Sequence, residues 1–239
     1  MIAAPPPASA GPDPAGALRA RLTGDPVLSP ILAHVVATMR TDPAHDLGHV
    51  LRVAAWAEYL VDTPDDRRQV LAAALLHDVV NVPKSDPARG SASERSAQAA
   101  GALLASLGWT GAAIGRVTEA IRQHSWSRGE VATSPVALAL RDADRLEALG
   151  ILGTFRCIST AGVFQSAYVD IDDPWADARE LADDRFAIDH FFVKLLRLAE
   201  GIVHPAARAE AARRLASMHG VLTALGHELR TPWPGAPSA

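Results

Sequence analysis

Apolar residues recur every three or four positions through most of the chain, the spacing of helices that bury one face. PVLSPILAHVVATMR (26–40) has it, and so does DPAHDLGHVLRVAAWAEYLVD (42–62), where Asp42 is a candidate N-cap and Pro43 fits a first turn. PDDRRQVLAAALLHDVV (64–80) opens on proline and acids and carries its apolar face up to His77. SERSAQAAGALLASLG (93–108) ends on a glycine stop, GAAIGRVTEAIRQHS (111–125) follows, and SPVALALRDADRLEALG (134–150) runs from a Ser134 cap to a Gly150 stop. The segment 151–180 begins helical and turns irregular around Gly162 and Asp170–Pro174, before two amphipathic stretches at 183–203 and 204–229. No convincing strand pair, internal repeat or second domain boundary is visible. The pattern predicts an all-α domain over residues 25–230. Residues 1–24, rich in proline, alanine and glycine, read as a flexible leader, and 231–239 as a flexible tail.

Composition sharpens this picture. Hydrophobic residues make up 49% of the 239 positions and aromatics only 5%, which suits packed helices. The net charge of −4 gives no strong field for nucleic acid or an anionic membrane. Arg67-Arg68 and Arg213-Arg214 read as solvated helix faces. Cys157 is the only cysteine, so no intramolecular disulfide or thiolate zinc cluster can form. It reads as a small buried side chain. The N-terminus lacks the basic and apolar regions of a secretory signal, and no run of about 18 apolar residues marks a membrane span. A cytoplasmic protein is expected.

Three ionisable features lie on or beside buried-looking helical faces: His49, the pair His77-Asp78, and Asp144. Imidazoles and carboxylates together suit a divalent ion such as Mn (manganese), Ni, Co, Fe, Mg or Zn, and four protein ligands leave positions for water and a substrate oxygen. Periodicity alone leaves the alternative open that these are capped or hydrogen-bonded core polar residues.

The order His … His-Asp … Asp, carried by His49, His77-Asp78 and Asp144, resembles the HD-domain metal-dependent phosphohydrolase superfamily. HDLGHVLRV, AAALLHDVV, PKSDPARGSASERSA, AIRQHS, RDADRLEALG and HFFVKLLRL follow in that order. The set is similar to the small bacterial HD hydrolases that include nucleoside-triphosphate pyrophosphohydrolases. The resemblance covers roughly residues 30–230 and implies an HD-domain helical bundle holding a divalent metal on those four residues. Between the last two helices the chain has AEGIVHPAARAEAARR in place of the family's Thr or similar polar residue, so His204 and Pro205 are expected to alter the pocket rim.

The implied chemistry is hydrolysis of a nucleotide phosphate or phosphoanhydride bond, first of all (d)NTP to (d)NMP and pyrophosphate. Such a reaction needs cations or donors aimed at developing negative charge. Lys84, Arg89, Ser93 (near a helix start), Lys194, Arg52 and His45 are the candidates for the phosphates, with Arg52 equally able to neutralise a carboxylate. Glu147, one turn beyond Asp144, is a candidate to orient or deprotonate the water, and His124 to donate to the leaving oxygen, contact a phosphate or bind a second ion. His34, His190, His219 and His227 receive no role. The alternatives are a nucleotide phosphomonoesterase, a di-iron oxygenase on the same fold using His45 and His124 as further ligands, and a nucleotide-binding regulator. The expected partner is a small phosphorylated molecule, with a homodimer left open and neither nucleic acid nor membrane involved.

Overall fold

The computed structural model describes residues 11–39, 46–80 and 91–235. Ten α-helices occupy them: α1 (Ala15–Gly24), α2 (Ser29–Thr38), α3 (Leu47–Tyr59), α4 (Pro64–Leu76), α5 (Ala92–Ser106), α6 (Gly111–Gln123), α7 (Pro135–Glu147), α8 (Gly150–Val163), α9 (Asp189–Val193) and α10 (Pro205–Leu229). The only β-type pairing among the described residues is an isolated bridge between Ala167 and Phe186. The protein is all-α. No single helix among the described residues is long and apolar enough to cross a membrane.

Local chemistry sets the helix ends. Thr63, Thr110 and Ser134 each accept a backbone N–H from the first turn of α4, α6 and α7, satisfying one of the donors a helix start leaves over. Gly108 and Gly150 follow α5 and α7 with φ of +77° and +76°, a conformation that halts a helix cheaply only in glycine. Asp46 caps α3, accepting His49 N–H at 2.7 Å, so the helix begins at Leu47 rather than near Asp42, which lies outside the described residues. That cap fixes the first turn of α3, where His49 sits.

Helix α4 is the axis of the fold. Every residue from Gln69 to Leu76 is buried, and Ala72, Ala73 and Ala74 let α3, α6 and α7 pack closely around it. Leu75, Leu76, Ile121 and Leu140 fill the space between these helices. A second apolar cluster, with Phe191, Leu195, Met218 and Leu222, seats α10 against the α7–α9 side. Both clusters hold the C-terminal ends of α4, α6 and α7 at one point.

Three expectations need correction. Residues 15–24, read as leader, form α1, with Leu18 and Leu22 in the core and Arg21 donating to Glu58 of α3. Two leucines one turn apart were hidden by the surrounding proline and alanine. Leu22→Ala is therefore expected to cost about 2–5 kcal/mol in urea denaturation. A change below about 0.5 kcal/mol would return this segment to the leader. The stretch 183–203 is broken at Lys194 (φ −134°, ψ −60°) into the short α9 and a 3-10 turn over Leu195–Gly201. The tail is anchored at least to Trp233, which is nearly buried with its ring 5.2 Å from His219, while Thr231 O accepts Trp175 Nε1–H at 2.8 Å.

Candidate metal centre

His49 lies in the first turn of α3, His77 caps the end of α4, Asp78 follows it, Asp144 sits on α7, and His124 caps the end of α6. The three imidazoles are buried, His49 and His77 completely so. Their rings stack edgewise, His77 at 5.4 Å from His49 and 5.2 Å from His124. Each backs onto an acceptor. His77 Nδ1–H donates to Ala74 O at 2.7 Å and His124 Nδ1–H to Ile121 O at 2.5 Å. His49 Nδ1 faces the Glu147 carboxylate at 3.8 Å. A carbonyl only accepts, so in neutral His77 and His124 the lone pair belongs to Nε2, which points inward; in His49 the Arg156 guanidinium, a donor 3.5 Å from Nε2, faces that nitrogen. There Asp144 Oδ1 lies 3.6 Å from His49 and 3.9 Å from His77, and Asp78 Oδ2 lies 3.3 Å from His77 and 3.9 Å from His49. Asp78 Oδ1 lies 3.9 Å from His124.

Two overlapping donor sets result, His49–His77–Asp144 and His77–Asp78–His124, each with one atom per residue within 4.8 Å of the others. His77 Nε2 is buried and has no hydrogen-bond partner among the described residues. A buried lone pair aimed at two carboxylates is costly unless a proton or a cation takes it. The electrostatics agree. Burial pushes the His77 imidazole down, but the Asp78 and Asp144 charges outweigh it and hold it up to about 9. Burial and the nearby Arg156 push His49 down to about 4. The His and Asp groups present therefore fit a divalent ion.

Behind His49 stands a network. Burial raises the Glu147 carboxyl, yet its contacts to His49 and Arg52 bring it down to about 2. Arg52 Nε donates to Glu147 Oε2 at 2.6 Å, and Arg214 Nη1 donates to Oε1 at 3.2 Å and to Leu146 O at 2.6 Å. Arg214 is thus half-buried support and not a solvated face, whereas Arg213 pairs with Glu210 at the surface.

A cavity of about 180 Å³ opens beside the centre. Asp78 and Asp144 form one end, and Arg156, Cys157 and Thr160 of α8, with His190 and Lys194 of the α9 region, form its walls. Arg156 Nη2 lies 3.5 Å from His49 Nε2, and Nη1 donates to Glu147 O at 3.0 Å.

The HD domain family model matches residues 46–149, the segment that contains His49, His77, Asp78, His124 and Asp144. Over 207 residues the chain is 32% identical to YpgQ of Bacillus subtilis (strain 168), an uncharacterized protein, covering 84% of this chain and 91% of YpgQ. The chain belongs to the HD-domain family. The crystal structure of YpgQ in complex with ADP superposes with a TM-score of 0.64 at 26% identity, over 87% of this chain and 98% of that one. A predicted HD superfamily hydrolase from an uncultured Thermotogales bacterium gives 0.55 at 25% identity, over 88% and 98%.

In this HD domain the four residues expected to act together, His49, His77, Asp78 and Asp144, do converge, and His124 joins them. Lys194 reaches the adjoining cavity. Glu147 does not line it. The carboxylate is fully buried behind His49, where it orients the ring instead of meeting a water. Arg52 serves that carboxylate. Ser93 is buried in the first turn of α5, and Ser96 Oγ accepts Val80 N–H at 3.2 Å, tying the segment after Asp78 to that helix. His45, Lys84 and Arg89 lie outside the described residues. His204 does not shape this cavity. Its Nδ1 and backbone N–H both meet Asp142 Oδ2, at 2.8 and 2.9 Å, which joins α7 to the start of α10.

Sequence reasoning missed Arg156, the only charged residue in the α8 sequence GILGTFRCISTAGV, and that isolation was its signal. It also missed His190, whose Nδ1 meets Asp183 Oδ2 at 2.8 Å; Cys157, read as a small buried side chain, is partly buried against the second apolar cluster and also lines the cavity, its Sγ–H donating to Ala187 O at 3.6 Å.

Proposed function

We propose that the chain is a metal-dependent hydrolase of a nucleotide phosphate or phosphoanhydride bond, first of all one that cleaves a (d)NTP to a (d)NMP and pyrophosphate. The observation that carries this is the convergence of inward Nε2 lone pairs and two carboxylates at the end of a cavity walled by Arg156 and Lys194. Binding of ADP by YpgQ supports a nucleotide ligand. His49, His77, Asp78 and Asp144 would hold the ion. Such an ion acidifies a water and withdraws charge from a phosphoryl oxygen.

The chain's own residues supply the rest. Glu147 holds His49 with its lone pair inward, as carboxylates behind ligating histidines do. His124 Nε2, outside the four-ligand set and beside Asp78, accepts the proton that water loses as its oxygen bonds to phosphorus. The bridging oxygen between the α and β phosphorus leaves with the pyrophosphate. Arg156 and Lys194 face the charge that develops on the phosphoryl oxygens.

The second donor set, His77–Asp78–His124, keeps one other reading open, a di-iron oxygenase. One screen separates the readings. Nucleotides are offered with each divalent metal in turn, and phosphate, pyrophosphate and triphosphate are detected separately, alongside iron content and oxygen uptake. Pyrophosphate from triphosphates without oxygen uptake is the expected result. Phosphate alone from monophosphates would make the enzyme a phosphomonoesterase, and oxygen consumption with bound iron would make it an oxygenase.

A further inference from the structure

We infer that residues 180–185 form a flap over the cavity beside the metal centre, latched shut by Arg179 on the buried carboxylate of Asp189. The inference concerns how the cavity is entered and is independent of the reaction performed inside it.

The segment 180–185, ELADDR, contains no helix, strand or buried residue. A stretch that buries no side chain has only polar contacts to set against the conformational entropy of ordering it, which places it at the low-stability end of a fold. Here those contacts centre on one group. Asp189, the first residue of α9, is fully buried. Its carboxylate accepts Arg179 Nη1–H at 2.5 Å and Nη2–H at 2.8 Å, a two-pronged pair between opposite charges. It also accepts the Ala182 N–H at 2.7 Å, from within the flap.

Arg179 is itself a fixed post. Its backbone N–H and its Nε–H both donate to Asp173, each at 3.0 Å, and its guanidinium lies 4.6 Å from the centroid of the Phe186 ring. Phe186 is buried and follows Arg185, so both ends of the flap meet at this guanidinium. Two lighter contacts lie further along. Asp183 Oδ2 meets His190 Nδ1 at 2.8 Å, and Ser166 Oγ–H donates to Asp184 O at 3.1 Å. Asp183, Ser166 and His190 line the cavity together with Cys157. At about 180 Å³ the cavity falls below the roughly 300–1,000 Å³ of pockets that enclose a drug-sized ligand, so a larger ligand needs a wall that gives way. The flap, held by polar contacts rather than by packing, can give way while Phe191 of α9 stays seated in the second apolar cluster.

The only cysteine, Cys157, gives a readout that needs no turnover. Mn²⁺-loaded wild type, Asp189→Asn, Arg179→Lys and Asp183→Asn are labelled with iodoacetamide, small enough for the closed cavity, and with fluorescein maleimide, which is larger than it. Expected for Asp189→Asn is maleimide labelling about ten- to a hundredfold faster than wild type, with iodoacetamide labelling changed far less. Arg179→Lys keeps the charge but loses the planar fork and should fall between. Asp183→Asn alters an exposed pair and should gain about two- to fivefold. Hydrogen exchange read by mass spectrometry should show the peptide containing Ala182 losing protection while α4 keeps its own. Maleimide labelling unchanged in all three variants would overturn the inference. So would equal acceleration of both reagents, which would mean that Cys157 is loosened in place. If Asp189→Asn loses protection in α4 as well, its fold has failed, and the other two variants decide by the same criteria.

Discussion

Asp78→Ala is expected to empty the metal centre and to lower turnover by roughly a thousandfold or more, the loss of several kcal/mol of transition-state stabilisation. Asp78 is the carboxylate that meets all three imidazoles, with Oδ2 at 3.3 Å from His77 and 3.9 Å from His49 and Oδ1 at 3.9 Å from His124. Without it the centre keeps neutral rings and the single charge of Asp144, too little to draw a hydrated divalent ion into a buried position. Its side chain is 29% exposed, so alanine leaves no closed cavity and the fold should survive. Metal content by mass spectrometry, turnover, and the helical circular dichroism signal measured together separate loss of metal from loss of structure. Full metal occupancy with normal turnover would refute the assignment. Asp78→Asn keeps the shape without the charge and should fall nearer to alanine than to wild type.

Glu147→Ala should act mainly on the fold. Arg52 and Arg214 both donate to this fully buried carboxylate, and His49 Nδ1 faces it. Removing one partner of a buried charge cluster leaves the others uncompensated, at a cost of about 3–5 kcal/mol. Loosening His49 should also weaken metal affinity about ten- to a hundredfold. Glu147→Gln keeps an acceptor for Arg52 and should recover part of each loss. The pH dependence has a definite sign. The folded carboxyl sits at about 2, below its ordinary value of 4.5, so its stabilisation is present in full above pH 4.5 and is lost as the pH falls towards 2. Urea denaturation of metal-free protein measures this. A loss under about 1 kcal/mol for the alanine variant, or stability unchanged between pH 5 and 3, would remove Glu147 from the support of the centre.

The helices were legible in the sequence because apolar spacing is a local signal, whereas the four central residues were read as one set through the ordered resemblance to the HD-domain family. Apolar spacing marks the buried faces, and His77-Asp78 at the end of the fully buried α4 marks where a polar pair needs a partner. The support behind the centre was legible only in part: Arg52 was read as able to neutralise a carboxylate, but not as the partner of Glu147. Arg52 and Glu147 are 95 residues apart, and Arg214 and Glu147 are 67 apart, so only packing of α3, α7 and α10 reveals them as one network. For the same reason Glu147 looked free to act on water when its side chain points away from the cavity. The wall beyond the centre comes from residues 150–195, where helical spacing fades and the chain turns on Asp170 and Asp173, whose carboxylates accept local backbone N–H groups. A segment held by such turns carries no periodicity to read: Lys194 was named there through the resemblance, while Arg156 and His190 show their place on the cavity wall only in the folded chain.

The most direct measurement uses protein stripped by a chelator, reloaded with Mn²⁺ and turned over in ¹⁸O-labelled water with a nucleoside triphosphate. The expected result is no product before the metal returns and, afterwards, label in the monophosphate with none in pyrophosphate, which places water attack at the α-phosphorus beside His49, His77, Asp78 and Asp144. Turnover by the stripped protein would contradict the metal centre, and label confined to pyrophosphate would contradict attack at the α-phosphorus.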